Sequence, residues 1–245
     1  GVLVIPGTTT ISAAGQDVTL NSANNNFTGA VSIDGEDVGV TDTSGIILGT
    51  STVTGTTTGY DITAGGTVTQ YAGTALTITG LTTISAVIGG TKQNVTLTNA
   101  SNNFQGGVEI TGAVVAITDL DTLILGASTV TGTYNVTATA GNITQSGALI
   151  ITGTTTLLTS GEGAIIHLNL PSNKFTGALL ITTNDNDSPT DGTYAAHVTI
   201  DGGTTALIIA ASTIDGNLTL RGGNASGITD SGTVTVGGNL AATTD

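Results

Sequence analysis

The chain has 245 residues, of which only 8% are charged, and its 3 basic residues against 17 acidic ones give a net charge of −14. Nucleic-acid binding and attachment to an anionic membrane surface both depend on Lys and Arg, so this balance argues against both. The absence of Cys excludes disulfides, thiolate metal sites and a Cys nucleophile. Thr, Val and Ile favour strands, whereas Gly, Asn and Asp favour turns, so the composition predicts an all-β protein.

The first predicted element is the apolar stretch "GVLVIPG" at residues 1–7, which is typical of a strand. The sequence shows no capping helix beside it, and an uncapped strand edge recruits further strands. We therefore expect Val2, Leu3, Val4 and Ile5 to add to the exposed edge of a neighbouring subunit. The partner predicted in this way is another copy of the chain, stacked head to tail into an oligomer or polymer.

Three sequence features then recur in a constant order, which indicates three copies of one unit. The first is an Asn-rich turn before each of the three Phe residues, as in "LNSANNNFTGAVSI" at 20–33. The second is "STVTG" or "STIDG", and the third is a strand such as "TVTQ", "NITQ" or "GITD". With about 75 residues in each copy, we place the units at residues 8–80, 81–153 and 154–238, followed by a tail at 239–245.

Within each unit, short stretches alternate apolar and polar residues and are separated by Gly, Asn or Asp, which is the pattern of short strands. Two folds fit this pattern, a string of three small β-sandwiches or one continuous β-solenoid. We favour the solenoid, a single-stranded parallel β-helix, because only 3% of the residues are aromatic and a small sandwich normally needs a larger aromatic core or a disulfide. No linker separates the units either.

The repeated Asn-Phe motif is interpreted as a corner of the solenoid. Asn tolerates the left-handed backbone conformation and caps its own turn, so the Asn residues are expected to form the bend. Phe27, Phe104 and Phe175 are expected to fill the core at that bend.

The third unit differs from the others by an insertion at residues 183–195, "TNDNDSPTDGTYA". Calcium takes several oxygen ligands from a flexible loop, so Asp185, Asp187 and Asp191 are the candidate calcium ligands. Their spacing fits no standard calcium loop, and a solvated acidic loop is the simpler interpretation. The insertion is also the candidate surface for binding a glycan or a surface receptor.

Other chemistry is poorly supported by the sequence. His167 and His197 both lie in strand patterns, where a hydrogen-bonded surface residue is the simpler interpretation, and we expect no enzyme.

The many Thr-x-Thr pairs suggest an ice-binding solenoid as an alternative, although they are scattered along the chain. Apolar runs such as "ALIIAA" at 206–211 fall well short of the about 20 residues that a membrane-spanning helix needs.

Two longer runs carry a resemblance to a known family. The segments "ILGTSTVTG" with "ITAGGTVTQYAGTALTITG", and "LILGASTVTGTYNVTATAGNITQSGALIITGTTTL", resemble the repeats of very large bacterial surface proteins. These are the filamentous-haemagglutinin-like, two-partner-secreted or beta strand repeat adhesins, and the resemblance covers about residues 8–238. It implies a right-handed parallel β-helix shaft, export across the outer membrane and a place at the cell surface. The family's amino-terminal secretion domain has no counterpart in this sequence.

Together these observations predict an extracellular structural protein of the bacterial cell surface. We expect a β-solenoid rod that assembles into a filament, sheath or lattice, or that forms the shaft of an adhesin. The alternatives are a binding module that acts through residues 183–195 and an ice-binding solenoid.

Overall fold

A computed structural model describes residues 1–184, 196–223 and 227–244. Within those ranges every regular element is a β-strand, and none is a helix that could cross a membrane. The chain divides into two compact units, Gly1–Asp119 and Leu120–Asp245. The prediction of an all-β solenoid is confirmed, since both units are built from stacked parallel strands.

The first unit contains 17 strands in its described residues. They are β1 (Val4–Ile5), β2 (Thr9–Ser12), β3 (Val18–Leu20), β4 (Asn26–Phe27), β5 (Val31–Gly35), β6 (Val38–Asp42), β7 (Ile46–Leu48), β8 (Ser51–Val53), β9 (Tyr60–Ala64), β10 (Val68–Gln70), β11 (Leu76–Ile78), β12 (Thr82–Ile88), β13 (Thr91–Lys92), β14 (Val95–Leu97), β15 (Asn103–Phe104), β16 (Gly107–Gly112) and β17 (Val115–Asp119).

These strands stack coil on coil in two long parallel ladders. One ladder runs through β3, β6, β9, β12 and β16, and the other includes β2, β5, β7, β10, β14 and β17. Among the described residues of this unit, the short hairpin of β12 and β13 is antiparallel. The coil that leads from Val38 to its partner Tyr60 is shorter than the one from Thr82 to its partner Val108, so the coils differ in the length of their turns.

The second unit contains 16 strands in its described residues. They are β18 (Leu123–Leu125), β19 (Ser128–Val130), β20 (Tyr134–Ala138), β21 (Ile143–Gln145), β22 (Leu149–Ile151), β23 (Thr155–Glu162), β24 (Ile166–Leu168), β25 (Lys174–Phe175), β26 (Leu179–Asn184), β27 (Val198–Asp201), β28 (Leu207–Ile209), β29 (Ser212–Ile214), β30 (Leu218–Gly222), β31 (Ile228–Asp230), β32 (Val234–Val236) and β33 (Leu240–Thr244).

The second unit follows the same plan. One ladder runs through β18, β21, β24, β27, β30 and β33, and the other includes β20, β23, β26, β28 and β31. The last strands are the least covered, and Leu240 in β33 is 61% exposed. A cavity of about 360 Å³ opens between the two ladders there, lined by Ile209, Leu220 and Val234 among others.

The core follows directly from the alternation in the sequence. In β6, β9 and β17 every second residue is buried, and the residues between them lie on the outer face. Small branched side chains such as Val40 and Ile62 fill the interior, and Phe27, Phe104 and Phe175 are all at most 1% exposed. The prediction that the three Phe residues pack into the core is therefore confirmed.

The buried Ser of each "STVTG" or "STIDG" sequence links neighbouring coils. Ser51 Oγ accepts a hydrogen bond of 3.1 Å from Ile33 N–H and donates to Gly49 O at 3.3 Å. Ser212 Oγ makes the same pair of contacts in the second unit, with Ile181 N–H and Ala210 O. The repeated Ser is thus an internal main-chain partner, which explains its presence in a buried strand.

The sequence repeat and the coil do not have the same length. The sequence "TTIS" occurs at 9–12 and again at 82–85, whereas one coil leads from Thr9 to its partner Val31. The number of residues that separates the two copies of "TTIS" is not a whole multiple of the number of residues in such a coil. The first copy accordingly lies in β2, in the ladder of β5, and the second in β12, in the ladder of β9. Successive sequence repeats therefore begin on different sheets.

Two buried tyrosines leave their hydroxyl groups without a hydrogen-bond partner in the described part of the structure. Tyr60 and Tyr134 are both 0% exposed. Burial raises the pKa of Tyr60 to about 12, and the neighbouring Ser51 side chain lowers it by a smaller amount. Burial likewise raises the pKa of Tyr134.

We expect Tyr60→Phe to preserve or slightly raise stability at neutral pH and to reduce its loss in alkali. An unpaired buried hydroxyl costs about 1–3 kcal/mol, which the Phe side chain avoids. The pKa of Tyr60 in the folded protein lies above its usual value of 10.0. Its contribution to the free energy of unfolding is therefore fully present below pH 10 and is lost as the pH rises toward about 12. That loss amounts to about 1.4 kcal/mol for each pH unit.

Urea unfolding followed by circular dichroism between pH 7 and 12 tests this expectation. Tyr71→Phe is the matched control, because Tyr71 is 57% exposed. A loss of more than about 1 kcal/mol for Tyr60→Phe at pH 7 would show that the hydroxyl has a stabilising partner.

Candidate functional site

The Asn-Phe motif forms a corner that the structure repeats three times. The side chains of Asn25, Asn102 and Asn173 are at most 3% exposed. Each accepts a hydrogen bond at Oδ1 from a Leu main-chain N–H, with N–O distances of 2.9, 3.0 and 3.0 Å. The three Leu donors are Leu3, Leu76 and Leu149.

The predicted backbone conformation of this corner is wrong. Among the described residues other than Gly, Ala196 alone has a positive φ, so the Asn residues do not adopt the left-handed conformation. Their amides instead turn inward and satisfy main-chain groups that would otherwise be buried without partners. Asn25 Nδ2, for example, donates to Leu20 O at 2.7 Å.

In the second and third copies a Gln side chain from an adjacent coil completes the corner. Gln70 Nε2 donates to Asn102 Oδ1 at 2.6 Å, and Asn102 Nδ2 donates to Gln70 Oε1 at 3.1 Å. Gln145 and Asn173 form the same reciprocal amide pair. The Gln of "TVTQ" and "NITQ" therefore has a defined structural role, which sequence reasoning missed.

The first copy presents the same corner without the Gln. Among the described residues, Asn25 bonds through its side chain to the main chain of Leu3 and Leu20. An open cavity of about 520 Å³ lies beside it, lined by Gly1–Leu3, Thr19–Ser22 and Asn25. We name this surface the amino-terminal face, and it is the candidate functional site.

The predicted subunit-contact residues border this face. β1 pairs in parallel with β4 of its own chain, with Val4 opposite Asn26 and Ile5 opposite Phe27. Val2 and Val4 remain 54% and 69% exposed. Whether Val2, Leu3, Val4 and Ile5 also contact a neighbouring subunit stays a prediction. The candidate calcium ligands Asp185, Asp187 and Asp191 lie outside the described residues.

An acidic groove runs along one corner of the first unit. Asp17, Asp37 and Asp61 line a small cavity of about 130 Å³. Asp37 Oδ1 accepts main-chain hydrogen bonds from Thr58 and Gly59, and burial raises the pKa of Asp61. No group of three possible metal ligands occurs among the described residues. The contacts of Asp37 show that it caps the main chain of the next coil.

Both His residues lie on the outer face of strands or turns. His167 is half-buried in β24 opposite Thr199, and His197 is exposed. His197 Nδ1 accepts a hydrogen bond of 2.9 Å from Asn217 N–H, one coil further along the chain. This contact resembles the one that Asn142 Oδ1 accepts from Ile165 N–H. His197 therefore has a capping role, as the simpler interpretation of the sequence predicted.

The outward Thr residues do not form an unbroken array along one described ladder of the first unit. Along β7, β10, β14 and β17 the outward positions in register are Ile47, Thr69, Thr96 and Ala116. An ice-binding face needs Thr at matching positions in successive coils. This column is mixed, whereas Thr41, Thr63, Ser85 and Thr111 align in the other ladder, and ice binding stays a prediction.

Comparison with known proteins gives a family but no function. No curated protein and no solved structure matches the chain. A family described as "Repeats of unknown function (DUF5649)" matches residues 1–34, 35–111, 111–182 and 195–245, which is most of the sequence. The repeat character inferred from the sequence is thereby confirmed, and the chain belongs to the DUF5649 family of repeats.

Proposed function

We propose that the protein is a structural repeat segment, exported to the bacterial cell surface, that joins end to end with further solenoid coils in a filament, sheath or lattice. The observation that carries this proposal is the stacking of the described strands, coil on coil, into parallel main-chain ladders in each unit.

Several features of the described residues support a mechanical role. Parallel main-chain ladders continue from coil to coil in each unit, and the buried Ser and Asn side chains satisfy polar groups inside them. The outer face is rich in uncharged Thr, Ser and Asn. An unpaired strand edge on such a scaffold is a template for adding another strand.

The shaft of a larger adhesin is the closest rival within this structural class, and it takes its support from the resemblance described above. In that case the amino-terminal face is covered by a coil of the same polypeptide. A binding module acting through residues 183–195 is the candidate from another class, and its test is loss of cell attachment when that insertion is deleted.

Self-assembly is tested by placing charge on the amino-terminal face. We expect the purified chain to form filaments in negative-stain electron microscopy, and Val2→Lys with Val4→Lys to reduce their number at least tenfold, because Lys on a strand edge blocks further pairing. The matched control is Thr56→Lys with Thr57→Lys, which adds the same charge at exposed positions elsewhere. Filaments that persist in the Val2 and Val4 variant, or that are absent from the unaltered chain, would contradict self-assembly through this face.

Surface location has a separate test. An epitope-tagged chain in its natural host should be cleaved by protease added to intact cells. Complete protection of the tag, with cleavage after the cells are broken, would contradict an extracellular location.

A further inference from the structure

One aromatic side chain differs from the others that the structure describes, because it lies on the surface. Tyr71 is 57% exposed. The other five described aromatic residues are at most 1% exposed, and they are Phe27, Phe104, Phe175, Tyr60 and Tyr134. A single exposed aromatic residue is ordinary in itself, so its surroundings decide whether it marks a site.

The turn that carries this side chain is longer than the fold requires. Residues 71–75 follow Gln70, whereas the shorter turn of residues 146–148 follows Gln145. Both turns lead into a Leu whose main-chain N–H bonds to a corner Asn. The shorter turn is therefore sufficient to connect the same two corner contacts, and the longer one additionally presents Tyr71 to solvent.

The longer turn is held in place by its own hydrogen bonds. Tyr71 N–H donates to Leu48 O at 2.8 Å, and Thr74 Oγ1 donates to Tyr71 O at 2.7 Å. Gln70 Nε2 also donates to Thr74 O at 2.7 Å, and Gly73 supplies a φ of +77°. The main chain on both sides of the aromatic ring is thus fixed before any ligand arrives, which lowers the entropic cost of binding.

Tyr71 borders an open cleft of about 450 Å³ within the first unit. Thr69, Thr96, Thr98 and Asn99 also line it, with Thr69 on β10 opposite Thr96 on β14. The three Thr hydroxyls and the Asn99 side-chain nitrogen have no hydrogen-bond partner among the described residues. These groups are therefore available to a ligand that lies beside the aromatic ring.

We infer that this cleft binds a neutral β-1,4-linked chain of glucose-type sugars, with one sugar ring stacked on Tyr71. Every ring substituent of such a chain is equatorial, so the faces of each sugar present C–H groups and its edges present hydroxyls. The face of an aromatic ring carries negative potential and attracts the C–H face of the sugar. The hydroxyl of Thr98 and the amide of Asn99 supply donors and an acceptor for the sugar's edge.

Charge and spacing favour this ligand over other glycans. Every described residue that lines the cleft is uncharged, and the chain carries a net charge of −14, which disfavours acidic or sulfated sugars. Neighbouring strands lie about 4.8 Å apart, close to the length of one sugar residue, so an extended chain crossing β10 and β14 meets one strand with each ring. The site is independent of the proposed structural role and of the insertion at residues 183–195.

Cellopentaose, a soluble β-1,4-linked glucose oligomer, is the probe that tests this site. We expect saturable binding to the intact chain by isothermal titration calorimetry, with amide shifts at Thr98 and Asn99 in nuclear magnetic resonance spectra. Maltopentaose is the matched control, because its α-1,4 linkages join the same sugars into a curved chain. It should bind at least about tenfold more weakly, since it cannot lie flat across both the ring and the strands.

Two variants locate the binding to the longer turn. Tyr71→Ala should weaken cellopentaose binding about tenfold or more, as expected for loss of an aromatic stacking partner, whereas Tyr71→Phe keeps the ring and should retain most of the affinity. Replacing residues 71–75 by Ser-Gly-Ala, the sequence of residues 146–148, should remove binding while the fold is kept. Failure of cellopentaose to bind, equal binding of maltopentaose, or unchanged affinity in Tyr71→Ala would each overturn the inference.

Discussion

Gly59→Ala is expected to destabilise the chain by at least about 3 kcal/mol. Gly59 has a φ of +69°, and a Cβ built on it would lie 2.0 Å from Leu81 O. That oxygen accepts a main-chain hydrogen bond of 2.8 Å from Tyr60, so it cannot move away without breaking the ladder between two coils. The left-handed conformation alone costs an L-residue about 1–2 kcal/mol, and the clash adds to this.

Gly73→Ala separates the cost of the left-handed backbone conformation from the cost of the clash between coils. Gly73 has a φ of +77°, but no atom lies within 4 Å of a Cβ at that position. We expect it to cost only the conformational term of about 1–2 kcal/mol. Urea unfolding by circular dichroism gives the two losses, and amide exchange at Tyr60 reports whether the nearby ladder opens. Equal losses for the two variants would show that the close approach of the coils at Gly59 is unimportant.

The second large effect is expected for Asn102→Ala, with a loss of about 3 kcal/mol or more. The change leaves Leu76 N–H and the Gln70 amide without the partners that Asn102 provides. It also removes the donor to Leu97 O. Leu76 and Leu97 are fully buried, so water cannot readily replace their lost contacts, and each unsatisfied buried group costs about 1–3 kcal/mol, whereas Gln70 is half-buried.

Asn25→Ala is the matched control, because it removes the same residue type from the same corner of the first copy. Asn25 bonds through its side chain to Leu3 and Leu20 without a Gln partner among the described residues, and it lies beside an open cavity. We expect a loss of about 1 kcal/mol, measured by urea unfolding. A loss at Asn25 as large as that at Asn102 would contradict the stabilising role assigned to the Gln–Asn pair.

Much of the fold follows from local sequence pattern. Alternation around Val40 and Ile62 predicts which side chains turn inward, and the rarity of aromatic residues argues for a narrow core that Phe104 can fill at a corner. These predictions succeed because strand alternation is a property of neighbouring residues. The right-handed sense of the coil, the unit boundaries and the calcium ligands remain predictions.

The candidate site was harder to predict because it depends on contacts between coils. Gln70 and Asn102 lie far apart in the sequence, and their pairing is visible only once the length of the intervening coil is known. That length varies between the coils of the first unit. A useful signal was nevertheless present, since a buried Asn and a strand Gln recur together in the sequence. The left-handed interpretation of the Asn failed because its side chain, rather than an unusual backbone conformation, stabilises the turn.

The mismatch between sequence repeat and coil has a consequence for how such a chain meets its surroundings. Thr10 and Thr83 occupy the same place in successive sequence repeats, yet they lie on β2 and β12, in different sheets. Labels attached at Thr10 and at Thr83 would therefore be displayed on two different sheets of the first unit, although the two residues occupy the same place in the sequence repeat.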